Sequence, residues 1–240
     1  MSGGHAHGLY VHAHSRVHAL PPQCKIVATV LFVVAVVATP REAIAAFVAH
    51  LVLVALAVAA ARLPFGFVFR RLAFEAPFVL FALLLPFAGG DDGIWAAWNV
   101  LAKATLGTLA VVVLGATTPV ARLLEGLEIL RVPRAFTSVA GFMARYADVV
   151  TGEVRRMRIA QRSRAHDARW LWQARSLAPA TGALFVRSFE RGERVYVAML
   201  SRGFEGSLPQ VRRATAGASQ WLTSLALPAA AAGIAVVAWT

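Results

Sequence analysis

Two short segments carry the side chains best suited to gripping a partner, Arg162-Ser163-Arg164-Ala165 and Ser201-Arg202-Gly203. Each closes a basic stretch with an arginine flanked by small residues. A guanidinium is planar, stays charged when partly desolvated, and presents a fork of donors that matches a carboxylate. A second group is the set His5, His7, His12, His14 and His18, which fall within fourteen residues of one another. Imidazole pairs bind nickel, cobalt or zinc. A tail of Gly, His and Ser is also disordered by composition, so local disorder with adventitious metal affinity is the expected reading and metal capture the alternative. Lys103 and Glu75 lie in or beside apolar runs, where ionisable groups are costly; polar contacts within the assembly compete there with snorkelling. His50 is expected to be a hydrogen-bonded interior histidine rather than a ligand. No GxxxxGK[ST] loop cradles ATP phosphates, no HExxH motif binds zinc, and no Ser/His/Asp grouping is supported by spacing. Any energy must come from another chain.

The elements that hold these residues are set by composition. Of 240 residues 58% are apolar and 15% charged, and the mean hydropathy is +0.64. That exceeds the roughly 45–50% apolar usage of soluble domains and points to an all-α polytopic membrane protein. The single cysteine, Cys24, excludes a disulfide framework and a Cys/His zinc site. Five apolar runs read as spans: Ile26–Thr39, Ile44–Ala61, Leu72–Ala88 with Pro77 and Pro86 inside it, Ile94–Ala116 and Trp221–Thr240. The division expected is a tail over 1–25, a four-span membrane domain over 26–116, a polar segment over 117–220 and a fifth span over 221–240. The first run follows 25 polar residues and leads straight into a second span, so a signal peptide is not expected.

The charges orient these spans. The chain holds 24 basic and 12 acidic residues, and 17 of the basic ones lie in 117–220, whereas the loop 89–93 (GGDDG) has none. The positive-inside rule then places the N-terminus, the 62–71 loop and the 117–220 segment in the cytoplasm, with Asp91, Asp92 and Thr240 outside.

The polar segment is periodic at the helical repeat. One helix is expected to open at Thr117-Thr118-Pro119, with threonine as N-cap and proline at the first helical position, and to stop before Pro133. A second runs from Ala135 to about Arg169, with Arg155, Arg158, Arg162 and Arg169 on one face. A third covers Leu184 to Arg202, with Arg187, Arg191, Arg194 and Arg202 on one side and Phe185, Phe189, Tyr196 and Leu200 on the other. Gly192 lies in the aromatic stripe, where a mid-helix glycine marks a close helix crossing. Periodicity alone leaves open a solvated face, a helix lying on anionic lipid, or docking on a protein. Nucleic acid is not expected, because no stacking platform or recognised motif accompanies the arginines.

The segments TTPVARLLEGLEILRVPRAF, FMARY, EVRRMRIAQRSR and FVRSFERGERVYVAMLSRGFEG, with LPPQCK at Leu20–Lys25 and FVLFALLLPF at Phe78–Phe87 upstream, carry a resemblance. Together they resemble the transmembrane T component of energy-coupling factor transporters, in particular the cobalt/nickel type. The resemblance implies two coupling helices whose Ala-Arg-Gly-like ends plug into grooves on two ATP-binding-cassette ATPase subunits. Those ends correspond to Ser163-Arg164-Ala165 and Ser201-Arg202-Gly203. The first departs from the pattern by Ser for Ala and Ala for Gly, the second by Ser for Ala; the arginine is kept in both. Without glycine at 165 a left-handed cap is less expected there.

The resemblance further implies a non-catalytic subunit in the cell membrane. It would bind no cofactor itself, since ATP and magnesium sit on the ATPases. It would pass their closure through helices crossed at Gly192 to a separate membrane-embedded substrate-binding subunit, where the metal-selective site would also lie. A vitamin importer of the same architecture, and a stand-alone carrier or scaffold with lipid-binding helices, remain the alternatives.

Overall fold

The computed structural model describes residues 11, 15–88, 92–163, 178–204 and 216–240, all helix and connecting turns. The expected all-α architecture is borne out, and no strand occurs among these residues. The chain divides into two compact units, His7–Val132 with Arg212–Thr240 and Pro133–Val211 with the N-terminal Met1–Ala6.

The first unit is a bundle. After the short α1 (Arg16–Ala19), capped by Ser15, come α2 (Pro22–Ala38), α3 (Ile44–Ala60), α4 (Phe65–Leu72), α5 (Ala76–Ala88), α6 (Gly93–Thr117) and α7 (Val120–Ile129); α10 (Ala218–Val237) closes it. Its core is small: Phe32, Val36, Phe47, Val54, Leu106, Leu109 and Ala231 pack together. Large apolar side chains point outward instead, with Leu80 65% and Phe87 89% exposed. Such a face is stable only against an apolar surrounding such as lipid or another membrane subunit.

Two helices, α6 with 25 residues and α10 with 20, are long and apolar enough to cross a membrane. Helices α2 and α3 have 17 residues each, which is about 25 Å at 1.5 Å per residue. The third expected run does not form one helix. Helix α4 ends at Leu72, a 3-10 turn occupies Ala73–Glu75, and α5 starts at Ala76. Pro77 accounts for the break: it has no N–H to give the Ala73 carbonyl, and its ring crowds that same carbonyl.

Lysines tie α2 to α6 in antiparallel fashion. Lys25, at the start of α2, donates from Nζ to the Thr117 carbonyl at the end of α6 (3.1 Å). Lys103 on α6 donates to the Val37 carbonyl in the last turn of α2 (2.8 Å). Each ammonium satisfies an orphan carbonyl at the negative end of the other helix. Trp239 Nε1 bonds the neighbouring Ala38 carbonyl (2.9 Å), so α10 runs parallel to α2. Lys103 and Glu75 therefore both have internal polar partners, since Glu75 Oε1 accepts from Thr105 Oγ1 on α6 (2.5 Å). His50 is fully buried, with Nδ1 on the Ala46 carbonyl (2.6 Å) and its ring edge-on to Phe32.

Two helix joints differ from expectation. Thr118 is not an N-cap: its Oγ1 is buried without a hydrogen-bond partner, and Pro119 itself occupies the cap position of α7 with extended backbone. The helix begins one residue later than expected, at Val120, so Thr118 stands one position outside the cap, with the extended backbone that a residue before proline adopts. Helix α7 also belongs to the bundle rather than to the helices that follow, because the unit boundary falls at Val132. Gly126 makes that packing possible, since a Cβ there would lie 3.0 Å from the Gln23 amide nitrogen and 3.1 Å from the Pro22 carbonyl carbon.

Candidate functional site

The second unit consists of α8 (Arg134–Ser163) and α9 (Ala178–Leu200), amphipathic helices rich in arginine. Helix α8 opens one residue before the expected Ala135 and is described to Ser163, so the expected extension to Arg169 lies outside the described residues. Helix α9 starts six residues before the expected Leu184, because Pro179 is compatible with a first helical turn.

Glu153 joins the two helices. Its Oε2 accepts from Arg156 Nη2 one turn on in α8, and its Oε1 from Arg187 Nη1 on α9, both at 2.6 Å. The two guanidiniums hold the Glu153 carboxyl below the ordinary carboxylate value, hydrogen bonds from Arg156 and Arg187 being the leading causes. Around this clasp Val149 and Val150 face Leu184, Ser188 and Arg191. The closest approach therefore lies over 184–191, and Gly192 is not its enabling residue. Gly192 is exposed, and a Cβ there would meet nothing within 4 Å. The expected crossing at Gly192 is corrected accordingly: the half-covered stripe of α9 runs through Leu184, Arg191, Val195 and Met199, whereas Gly192 lies with the outward aromatics.

That aromatic stripe is bare. Phe185, Phe189, Tyr196 and Leu200 are all exposed, as are Phe136, Met143 and Ile159 on α8, and α9 buries no residue. Arg155, Arg158 and Arg162 are exposed on α8.

The end of α9 has a defined geometry. The Phe204 amide donates to the Met199 carbonyl and the Gly203 amide to the Leu200 carbonyl, both at 3.0 Å, with Gly203 at φ 77°. This is the left-handed stop that glycine adopts most readily. It leaves Arg202 as the last residue before the reversal, exposed at the tip. Ser201 turns its hydroxyl back onto the Val197 carbonyl (3.0 Å), and Ser163 does likewise onto Ala160 (3.0 Å). Both serines thus satisfy themselves within the helix and act as small residues. Arg164 and Ala165 lie outside the described residues.

Of the clustered histidines, His5, His7, His12 and His14 also lie outside the described residues. His18 is engaged by the protein, with Nδ1 at Ser15 Oγ (2.8 Å) and Nε2 at the Val11 carbonyl (3.2 Å). No three His, Cys, Asp or Glu gather as a metal site among the described residues. The residue that sequence reasoning missed is Glu153. Its spacing to Arg156 was visible as an i, i+3 pair, but Arg187 is 34 positions away and only the fold brings it in.

The cobalt transport protein family CbiQ matches residues 13–212, a segment that takes in α2 to α9 and both arginine-bearing helix ends. The energy-coupling factor transporter transmembrane protein EcfT of Heliobacterium modesticaldum is 26% identical over 230 residues, covering 85% of this chain and 86% of that protein. The cobalt transport protein CbiQ of Rhodobacter capsulatus is 35% identical over 98 residues, 40% of this chain and 39% of that one. A protein named as a fused cobalt transport protein, CbiMQ, of Methanocorpusculum labreanum is 31% identical over 109 residues, covering 45% of this chain and 18% of its own length. The chain thus spans less than two thirds of the length of two of these three relatives. A match across 13–212, over the membrane bundle and the paired arginine helices alike, places the chain in the CbiQ family of cobalt transport proteins.

Proposed function

We propose that this chain is the energy-coupling transmembrane subunit of an ATP-driven importer of cobalt or nickel ions. In this reading α8 and α9 seat their ends on two ATPase subunits, and the bundle passes ATPase closure to a separate substrate-binding membrane subunit. The chain itself performs no catalysis; ATP and magnesium belong to the ATPases. Helices α8 and α9 then face the cytoplasm, an orientation supported by the arginine asymmetry.

The observation that carries this reading is the tip of α9. An arginine at a glycine-terminated helix end, above an uncovered aromatic stripe, fits insertion into a groove with an acidic floor. A helix lying on lipid would spread its cations along one face and gain nothing from a shaped end.

The experiment is a substitution series at Arg202 with metal uptake as readout. Arg202→Ala leaves a partner carboxylate desolvated and unpaired, a loss of about 2–5 kcal/mol at that contact, and uptake collapses. Arg202→Lys rescues poorly, because a point charge lacks the bidentate fork. Silent lysine and near-silent alanine variants would instead mark a lipid-surface helix, where one arginine among many contributes about 1 kcal/mol.

A further inference from the structure

Between α2, α3, α6 and α10 the bundle forms a half-open cavity of about 330 Å³. Its walls are apolar, with Phe32, Val54, Ala110 and Leu227 among them, and Lys25 lines it beside Thr117 and Thr223. With Thr29 and Ser224, which also line it, these polar residues stand in the first turns of α2, at the end of α6 and in the first turns of α10, so the polar rim is at one end of the bundle. From Lys25 to Phe32 the slot runs seven residues along α2, about 10 Å deep.

The charge at this rim is unbalanced. Lys25 is 7% exposed, and among the described residues its ammonium has one hydrogen-bond acceptor, the Thr117 carbonyl, and no carboxylate. The charge that acts on it is a second cation, Arg122, which is exposed on α7 and outside the cavity lining. A buried ammonium has three donors and is costly without an anion. A divalent metal ion does not fit, because the lining offers an ammonium and no carboxylate, imidazole or thiol.

We propose that the cavity holds one acyl chain of an anionic phospholipid whose phosphate pairs with the Lys25 ammonium. An acyl chain gains little hydrophobic energy by leaving the bilayer for this slot, since lipid tails are as apolar as its walls. What it gains is contact with walls that otherwise lack partner atoms, and a head group held by the buried ammonium. Charge therefore selects the lipid, and the cavity orients it. The lipid would sit where α2, α3, α6 and α10 meet, tying bundle geometry to membrane composition. The inference requires only that the bundle sits in a bilayer; it does not depend on the ATPase-coupling reading.

The test is native mass spectrometry of the full chain, with whatever subunits co-purify, in neutral detergent. Titrants are dioleoyl phosphatidylglycerol, dioleoyl phosphatidylcholine and inorganic phosphate. The chain should retain one phosphatidylglycerol about fivefold or more tightly than phosphatidylcholine. Lys25→Met should erase that preference and Lys25→Arg keep it. Ala57→Leu, which adds bulk to the slot from α3, should weaken both lipids. Equal binding of the two lipids, or an unchanged preference in Lys25→Met, overturns the head-group assignment. Unchanged lipid binding in Ala57→Leu overturns the cavity assignment, and so does displacement of the lipid by equimolar phosphate, which would mark a free-anion site. Should Lys25→Met fail to purify, Ala57→Leu and the preference between the two lipids decide.

Discussion

Glu153 shows how much one carboxylate can organise when two arginines converge on it from different helices. Because its folded value is lowered, the stabilisation it lends the α8–α9 contact is fully present above the ordinary carboxylate value of 4.5 and is lost as pH falls through the lowered one. Spin labels on α8 and α9 should therefore report a fixed distance at neutral pH and a broadened one in acid, and Glu153→Gln should give the broadened distribution already at neutral pH. A distribution that ignores both acid and the substitution would remove Glu153 as the link. Arg202 and its serine and glycine neighbours were legible in the sequence, because a helix stop is written locally in a glycine. The clasp was not, since its second arginine comes from another helix. Gly192 misled for the converse reason: a glycine is compatible with close approach without causing it, and which face of a two-faced helix turns inward depends on the partner surface.

At the scale of elements, apolar periodicity located α2, α3, α6 and α10 to within a few residues, because a span needs a continuous apolar run and the sequence displays it directly. It failed at the third run, where Pro77 divides one hydrophobic stretch into a 3-10 turn and a 13-residue helix. It failed again at Thr118, because α7 starts at Val120 with Pro119 in the cap position, one residue later than the threonine–proline pair suggests. The α5–α6 hairpin rests on an approach no pattern announces: a Cβ at Gly93 would lie 2.6 Å from the Leu85 carbonyl oxygen and 2.8 Å from Pro86 Cα. Both are backbone atoms, so the hairpin must open. Gly93→Ala should destabilise the chain in detergent by about 1–3 kcal/mol. Gly107→Ala, with nothing within 4 Å, should be neutral or slightly stabilising. Equal melting temperatures for the two variants would contradict this packing.

For the molecule as a whole, orientation and coupling are one problem, since in the proposed function the arginine helices face the ATPases. Single cysteines at 92 and 191, in a chain whose Cys24 is fully buried, test the orientation in intact cells. An impermeant thiol reagent should mark position 92 and spare 191; the reverse pattern inverts the topology. Coupling is tested most directly by removing both helix-end arginines. In the proposed function two ends docked on two ATPases hold each other at high effective concentration, so one weakened contact leaves the complex assembled but two do not. Affinity purification of the chain carrying Arg164→Ala and Arg202→Ala together should recover the membrane partner without ATPase subunits and show no metal uptake, whereas Arg202→Ala alone should still recover the ATPases while uptake is lost. A double variant that retains the ATPases and full uptake would contradict the account.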